Sequence, residues 1–409
     1  MKKQKVLLAM SGGVDSSVAA LLLKKQGYEV IGAFMKNYSD SKDDLGQCTW
    51  IADRKMAMKI ASQLNIPLIT LDFEKEYRKL VVSEMFRSYS KGITPNPDVD
   101  CNNKVKFPLL WKAAKKLGAD FIATGHYARI KKIADKKGIN DKIITARLNM
   151  AGKRGDSNIK NSIGWGGGVK YNYQLLRAED ESKDQSYFLY RLTQEDLKHS
   201  LFPIGELTKK QVRSIAEKNK FPNFNRKSTV GICFIGKVNL KGFLQKRIKP
   251  KKGKILSPEG NLIGWHDGIY YYTIGQRIGP RFGIEVNRGS STQRRWYVAS
   301  KNPRTNTIVA APERNKLNFR KEIIVKNFHL MNNKSASYIK KLLAGGRAGK
   351  PLKILSRIRQ VGELLPSILK YSNNKFKVIL NKPITGISQG QAIVLYRGLQ
   401  VLGGGVIAF

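Results

Sequence analysis

Lys5-Val6-Leu7-Leu8-Ala9-Met10-Ser11-Gly12-Gly13-Val14-Asp15-Ser16-Ser17 runs from an apolar, strand-like segment through a Ser/Gly turn into a helical pattern. Lys5–Met10 reads as a first strand, Val14–Gln26 as an amphipathic helix closed by Gly27, and Glu29–Met35 as a second strand. Two glycines permit a tight turn, so backbone N–H groups, serine hydroxyls and the helix N-terminus can converge on one anion. The Gly-Lys-Ser/Thr ending of a Walker loop is missing, and no lysine of the loop reaches a β- or γ-phosphate. The plainer alternative is a glycine turn with a Ser/Asp helix cap.

The same alternation continues downstream. Thr49–Leu64 reads as a helix with Ala52, Met56, Ile60 and Leu64 on its buried stripe, Pro67–Phe73 as a strand, and Glu74–Ser90 as a helix. Thr94–Asn103 is a Pro/Asn/Asp loop, Val105–Leu117 a helix and Asp120–Thr124 a strand. This order predicts an α/β domain, an open parallel sheet with helices on both faces. Residues Lys131–Tyr173, dense in Lys and Arg, lose all periodicity and read as a basic insertion. Helical patterns return at Gln194–Lys198, Lys209–Lys220 and Leu240–Ile248. Beyond Pro250 come short strand-like runs: Tyr270–Ile274, Trp296–Ser300, Thr307–Ala311, Lys377–Leu380, Ala392–Tyr396 and Gly405–Phe409. They predict an all-β region of one or two small barrels. The expected divisions are 1–200, a small mixed central domain over 201–310, and a C-terminal β-barrel over 311–409.

Composition limits the function. The 409 residues carry 75 Lys+Arg against 30 Asp+Glu, a formal charge of +45. A polyanionic partner explains such a charge, because Lys and Arg displace counterions from phosphates. A bias toward Lys, Asn and Ile is the bland alternative. No run approaches the roughly 20 apolar residues of a membrane span. Three cysteines make no disulfide framework, and no Cys-x-x-Cys pair offers a zinc or iron–sulfur site. The expectation is a protein of a reducing compartment, the cytoplasm, without a resident metal.

Cys101 lies in the Pro/Asn/Asp loop shortly before a helix, Cys233 lies in Gly231-Ile232-Cys233-Phe234-Ile235-Gly236, and Cys48 opens a helix. Nearby Lys104, Lys106, Arg226 and Lys227 favour a thiolate. A buried small hydrophobe is the alternative for Cys48 and for Cys233 taken alone.

The Ser-Gly-Gly-Val-Asp-Ser loop resembles the PP-loop of ATP pyrophosphatases. Further motifs follow in order: Thr94-Pro95-Asn96-Pro97-Asp98-Val99-Asp100-Cys101-Asn102, Ala123-Thr124-Gly125-His126-Tyr127-Ala128 and Lys183-Asp184-Gln185-Ser186-Tyr187-Phe188-Leu189. The Cys233 segment, Tyr272-Thr273-Ile274-Gly275-Gln276-Arg277 and Leu402-Gly403-Gly404-Gly405-Val406-Ile407 complete the series. Together they resemble the tRNA-specific 2-thiouridylases over nearly the whole chain apart from the insertion.

That resemblance implies ATP with Mg2+ against Ala9, Met10, Ser11, Gly12, Gly13, Val14, Asp15, Ser16, Met35 and Gly125. It implies the target base against Asn96, Pro97 and Asp98, with Asp98 among the catalytic residues. Cys101 falls on the family's nucleophile and Cys233 on its persulfide carrier, which implies a disulfide between them during turnover. His126, Lys183, Asp184, Gln185, Arg357, Ile358 and Gln391 fall on tRNA contacts, although His126 also reads as a strand-end cap and Arg357 as a surface cation. The implied partners are a tRNA with a wobble uridine and a persulfide donor protein, with the enzyme a monomer and no membrane involved. Four departures from the family pattern stand out: Ser228 replaces an acidic residue, Asp100 an apolar one, Ile358 a Tyr, and Ser388-Gln389-Gly390-Gln391 a Thr-Pro-Gly-Gln. A carboxylate at Asp100 tends to raise the pKa of a neighbouring thiol. Rival readings are another PP-loop ligase, which needs no cysteine pair, and a noncatalytic RNA-binding protein.

Overall fold

The computed structural model describes residues 3–40, 48–134, 171–226, 239–279, 285–286, 295–332, 351–360, 362–373 and 375–409. Cys233 and Ser228 lie outside the described residues.

The chain begins with β1 (Lys5–Ala9), α1 (Val14–Lys25), β2 (Glu29–Lys36), α2 (Thr49–Gln63) and β3 (Leu68–Asp72). Next, α3 (Glu74–Tyr77) passes through a π-helical turn, Arg78–Val82, into α4 (Ser83–Ser90). Then α5 (Pro97–Cys101) passes through a second π segment, Asn102–Lys106, into α6 (Phe107–Lys116). After β4 (Phe121–Ala123) come β5 (Ala128–Ala134), β6 (Tyr171–Arg177), α7 (Gln194–Lys198), β7 (Ser200–Leu201), α8 (Lys209–Lys218) and α9 (Leu240–Gln245). Strands β3-β2-β1-β4-β7 form one parallel sheet in that order. Its period of two sorts the core. Val6 and Leu8 join Val18 of α1 and Ile60 of α2 on one face, while Leu7 joins Phe107 and Leu110 of α6 on the other. This is the expected two-sided α/β domain. The strand order reverses between β1 and β4, where open α/β sheets bind ligands beyond their carboxyl ends.

Three local expectations need correction. The buried stripe of α2 is Ala57, Ile60, Ala61 and Leu64, with Ala52 exposed and Met56 half-buried, so the helix is rotated from the expected face. The ends of the 131–173 segment are not aperiodic: β5 and β6 pair antiparallel from Ala128↔Arg177 to Ala134↔Tyr171. Cross-strand pairing supplies an order that a lysine-rich strand does not announce by hydrophobic alternation. Cys101 sits in a helix, not a loop. Asn96 caps α5 by accepting the Val99 N–H at 3.3 Å, and Pro97 occupies the first turn, so start signals override the loop-like composition. The following π segment leads into Pro108, whose ring and missing N–H disfavour a regular α-helical turn there.

The central domain holds β8 (Gly253–Leu256), β9 (Leu262–His266), β10 (Arg277–Ile278), β11 (Glu285–Val286), β12 (Trp296–Asn302) and β13 (Thr307–Pro312). They are ordered β10-β12-β13-β8-β9-β11, with β8 and β13 parallel. The expected strand at Tyr270–Ile274 is instead a 3-10 turn, Ile269–Tyr271, entered through Gly268 at φ +149°.

Six antiparallel strands follow: β14 (Phe319–Leu330), β15 (Leu352–Arg357), β16 (Leu365–Ser372), β17 (Lys375–Thr385), β18 (Ala392–Arg397) and β19 (Gln400–Ala408). The order β14-β17-β16-β15-β18-β19, with β14 pairing back to β19, closes a barrel around Ile323, Val378, Leu380, Leu395 and Ile407. Strand β19 also meets β6 at Gln400↔Leu176, joining the barrel to the β5–β6 hairpin. No helix among the described residues is long and apolar enough to cross a membrane.

Candidate active site

The Ser/Gly turn lies where β1 ends and α1 begins, on the ligand-binding edge of the sheet. Gly13 caps α1 without a side-chain bond, which leaves the helix N-terminus facing outward. Ser16 Oγ donates to Gly13 O at 2.9 Å and lies 3.4 Å from Ser11 Oγ, so the two hydroxyls line the turn beside the backbone donors and can rotate toward a bound anion. Gly12 adopts φ +75°, and a Cβ there would collide with the Asp53 carbonyl. Gly125, just beyond β4, approaches so closely that a Cβ would stand 2.9 Å from Ser16 N. Met35, near the end of β2, is buried in the sheet's second face, and Ala9 ends β1. The result is a cradle lined by backbone N–H donors and a helix N-terminus, suited to an anion.

Distant residues hold the cradle in shape. Asn223, itself buried, donates to Gly12 O and Ser17 Oγ, both at 2.9 Å. Arg226 reaches Gly12 O at 3.4 Å and pairs with Asp53 at 2.5 Å. Asp15 Oδ1 accepts from Tyr127 Oη at 2.8 Å and Lys209 Nζ at 2.6 Å. Burial, with Asp15 adding to it, holds the Tyr127 phenol far above its ordinary range, so it stays a donor. Lys209 is the first residue of α8, and its backbone N–H is fixed by Asp180 at 2.9 Å. The cation missing from the loop's own sequence therefore arrives from almost 200 positions away, and is largely buried.

The Asn96–Cys101 turn is held by all three domains. Thr94 N–H donates to Gln389 O of the barrel at 3.1 Å, and Thr94 Oγ1 lies 3.1 Å from Thr273 Oγ1 of the central domain. Gly390, at φ +93°, packs so tightly on Ile93 and Thr94 that a Cβ would clash with both. Asn96 Nδ2 is 3.4 Å from Tyr187 Oη, which in turn bonds the barrel carbonyls of Ile358 at 3.1 Å and Ala392 at 3.0 Å. Asn96, Pro97 and Asp98 are half-buried, and Asn96 lines a cleft of about 310 Å3 with Asp100, Lys104 and Arg191. Cys101 is buried among Tyr77, Val81 and Val105. The Asp100 carboxylate beside it is compensated by Lys104 at 2.9 Å, which offsets its unfavourable effect on a thiolate.

Residues 4–237 match the tRNA methyl transferase HUP domain family, 241–312 the tRNA methyl transferase PRC-barrel domain family, and 320–407 the aminomethyltransferase beta-barrel domain family. The tRNA-specific 2-thiouridylase MnmA of Pediococcus pentosaceus is 36% identical, covering 99% of this chain and 95% of its own. MnmA 1 of Geobacillus kaustophilus is 38% identical over 100% of this chain and 96% of its own, and MnmA of Coxiella burnetii 38% over 99% and 96%. The chain belongs to the tRNA-specific 2-thiouridylase family. Family membership accounts for the three-part architecture and for the motifs that the structure gathers around two centres, the cradle and the Asn96–Cys101 turn.

The remaining family positions fall in different surroundings. Lys183 is exposed, and half-buried Gln185 accepts the Tyr127 N–H at 2.9 Å. Asp184 and Arg357 are buried against each other at 2.7 Å; Asp184 also accepts from Ala178 N, Ser186 N and Ser186 Oγ. Ile358 is buried, and Gln391 keeps a buried Oε1 with no hydrogen-bond partner among the described residues. His126 is buried, with Nδ1 2.7 Å from Thr124 Oγ1 and its ring stacked on Phe107. Burial, assisted by Lys106, pushes its imidazole well below the ordinary range, so it is neutral near pH 7. Motif reading quoted Tyr127 and Tyr187 without a role, named Arg226 only as a cation near Cys233, and did not find Lys209 or Asn223. Lys209 carried a usable signal, because Thr208 and Gln211 form a capping box that fixes where α8 starts.

Proposed function

We propose that this protein catalyses ATP-dependent 2-thiolation of the wobble uridine of tRNA. The observation that carries the reading is the polyphosphate cradle at β1–α1, set in one fold with a cysteine-bearing turn that three domains support. The uridine O2 attacks the α-phosphate of ATP, and pyrophosphate leaves into the cradle, where the helix N-terminus, Ser11, Ser16 and Lys209 stabilise its charge. The terminal sulfur of a Cys233 persulfide then attacks C2. The Cys101 thiolate attacks Cys233 Sγ, the persulfide S–S bond breaks with its electron pair passing to the transferred sulfur, and AMP departs with the former O2. A two-electron thiol reductant reopens the Cys101–Cys233 disulfide. Because Cys101 is buried, this cycle requires the α5 turn to move.

Asp15 suits Mg2+, because its Oδ2 has no donor among the described residues and Mg2+ takes one or two carboxylates with substrate phosphates. The ion would neutralise polyphosphate charge. The substrate side is a tRNA, which the charge of +45 favours, with Lys183 as an exposed backbone contact. A persulfide protein of the cytoplasm supplies sulfur to a monomeric enzyme. Methyl transfer, named in the matched domain descriptions, would leave the polyphosphate cradle without a task.

Mass spectrometry of tRNA nucleosides after incubation with ATP and a persulfide donor tests the reading. Wild type and Cys48→Ser should form 2-thiouridine, and Cys101→Ser and Cys233→Ser should form none. Absence of 2-thiouridine with wild type, or full activity of Cys233→Ser, overturns it.

A further inference from the structure

Tyr187 belongs to a motif whose neighbours fall on tRNA contacts, yet it is itself buried, behind Asn96 and Ala392 of the cleft. Its hydroxyl stands at the meeting point of three groups: Ile358 O at 3.1 Å, Ala392 O at 3.0 Å and the Asn96 amide at 3.4 Å. The two carbonyls only accept, so the single phenolic hydrogen is committed to them. Toward Asn96 the oxygen can therefore only accept, and it selects the NH2 end of that amide. The other end is selected independently, because the α5 cap requires Oδ1 to face the Val99 N–H at 3.3 Å. Two opposite demands leave Asn96 one orientation, although an isolated asparagine amide could flip. In that orientation one Nδ2 hydrogen is used by Tyr187, and the second has no acceptor among the described residues.

Building on the thiolation reading, we infer that Tyr187 is a positioning residue that locks Asn96 as a hydrogen-bond donor and thereby makes the site select uridine over cytidine. Uracil presents acceptors at O2 and O4. O2 is the reacting atom, so the Asn96 donor serves O4. Cytosine carries an amino group in place of O4, and there the Asn96 N–H meets another donor. A misplaced donor pair leaves two polar groups unsatisfied, which is the strong form of discrimination between bases. The barrel thus contributes to base choice without touching the base, through the carbonyls of Ile358 and Ala392. It also suits the departure at position 358, since the group used there is a backbone carbonyl that any residue supplies.

The test compares binding of two anticodon stem–loop RNAs, with uridine or cytidine at the wobble position, by fluorescence titration at fixed salt. Wild type should favour the uridine RNA by about tenfold. Tyr187→Phe, which removes only the oxygen, should bring that ratio to about one while ATP affinity stays unchanged. Asn96→Asp, which cannot donate, should drop below one, favouring cytidine. A merely structural Tyr187 would lower the melting temperature of Tyr187→Phe and leave the ratio at its wild-type value; that result overturns the inference. If Tyr187→Phe does not fold, Asn96→Asp alone carries the test, and an unchanged uridine preference in it overturns the inference equally. A wild type that forms 2-thiouridine but binds both RNAs equally also overturns it. A wild type that forms no 2-thiouridine instead overturns the thiolation reading on which it rests.

Discussion

The cradle at β1–α1 and the turn at Asn96–Cys101 are both short, polar and rich in residues that break regular structure, yet they are built in opposite ways. Most of the cradle's working groups, the backbone N–H donors, serine hydroxyls and helix end, lie within Ser11–Ser16; Lys209 adds a cation, and the other distant residues brace them. The Asn96–Cys101 turn has little local definition of its own. Its position depends on Gln389 and Gly390 of the barrel, Thr273 of the central domain and Tyr187 between them. A local device can be read from a string of residues. A device assembled from three domains cannot, because its determinants are contacts.

Gly12→Ala should separate the two centres most sharply. A residue at φ +75° costs about 1–3 kcal/mol of strain, and the new Cβ also meets the Asp53 carbonyl. ATP-dependent pyrophosphate release should fall by about 100-fold or more, with tRNA affinity retained. Equal loss of both in a folded variant would show that the centres are not separately built.

Arg357→Leu probes the barrel side. Removing one cation of this buried cluster leaves the Asp184 carboxylate with Arg177, 3.6 Å away, as its remaining charge partner, and costs about 3 kcal/mol. Urea unfolding should register that loss. A variant of wild-type stability with weakened tRNA binding would make Arg357 an RNA contact instead of a tie between domains.

The smallest effect concerns His126, beside Gly125 of the cradle. Its folded-state pKa is depressed by burial, whereas the unfolded chain takes up a proton near pH 6.5. The folded state therefore binds fewer protons below that pH, and stability falls as pH drops from about 6.5, by at most about 1.4 kcal/mol per pH unit for this group. His266 and His329 shift in the same direction through burial, so they add to the slope. His126→Gln should make the decline of the urea midpoint between about pH 6.5 and pH 5 shallower, and an unchanged slope would contradict a neutral buried ring.

Legibility followed the same division. The parallel sheet, its helices and the change to β-structure after Pro250 were readable because hydrophobic periodicity reports burial directly. The helical setting of Cys101 was hidden by Pro, Asn and Asp, which signal a loop and a helix start alike; only the Asn96 cap and Pro97 distinguish the two. Asp184 and Arg357 fall on family contact positions, but sequence carries no sign that they are buried against each other across 173 positions. The place of Lys209 in the cradle was hidden for the same reason: its capping box marks where the helix starts, not what the lysine meets, although the Ser/Gly loop lacked a lysine and so posed the question.

The anchors of the Asn96–Cys101 turn also arrive in a fixed order as the chain is synthesised. Among the described residues, everything that braces the cradle has been made once Arg226 is in place, because Lys209, Asn223 and Arg226 are its last distant partners there. The turn must wait for Thr273, then Ile358, and finally Gln389, Gly390 and Ala392. Domains fold broadly from the N-terminus during translation. A nascent chain therefore completes the β1–α1 cradle early and the Asn96–Cys101 turn only near the end, so on the proposed reading an unfinished polypeptide would hold the means to grip ATP before the means to select an RNA base.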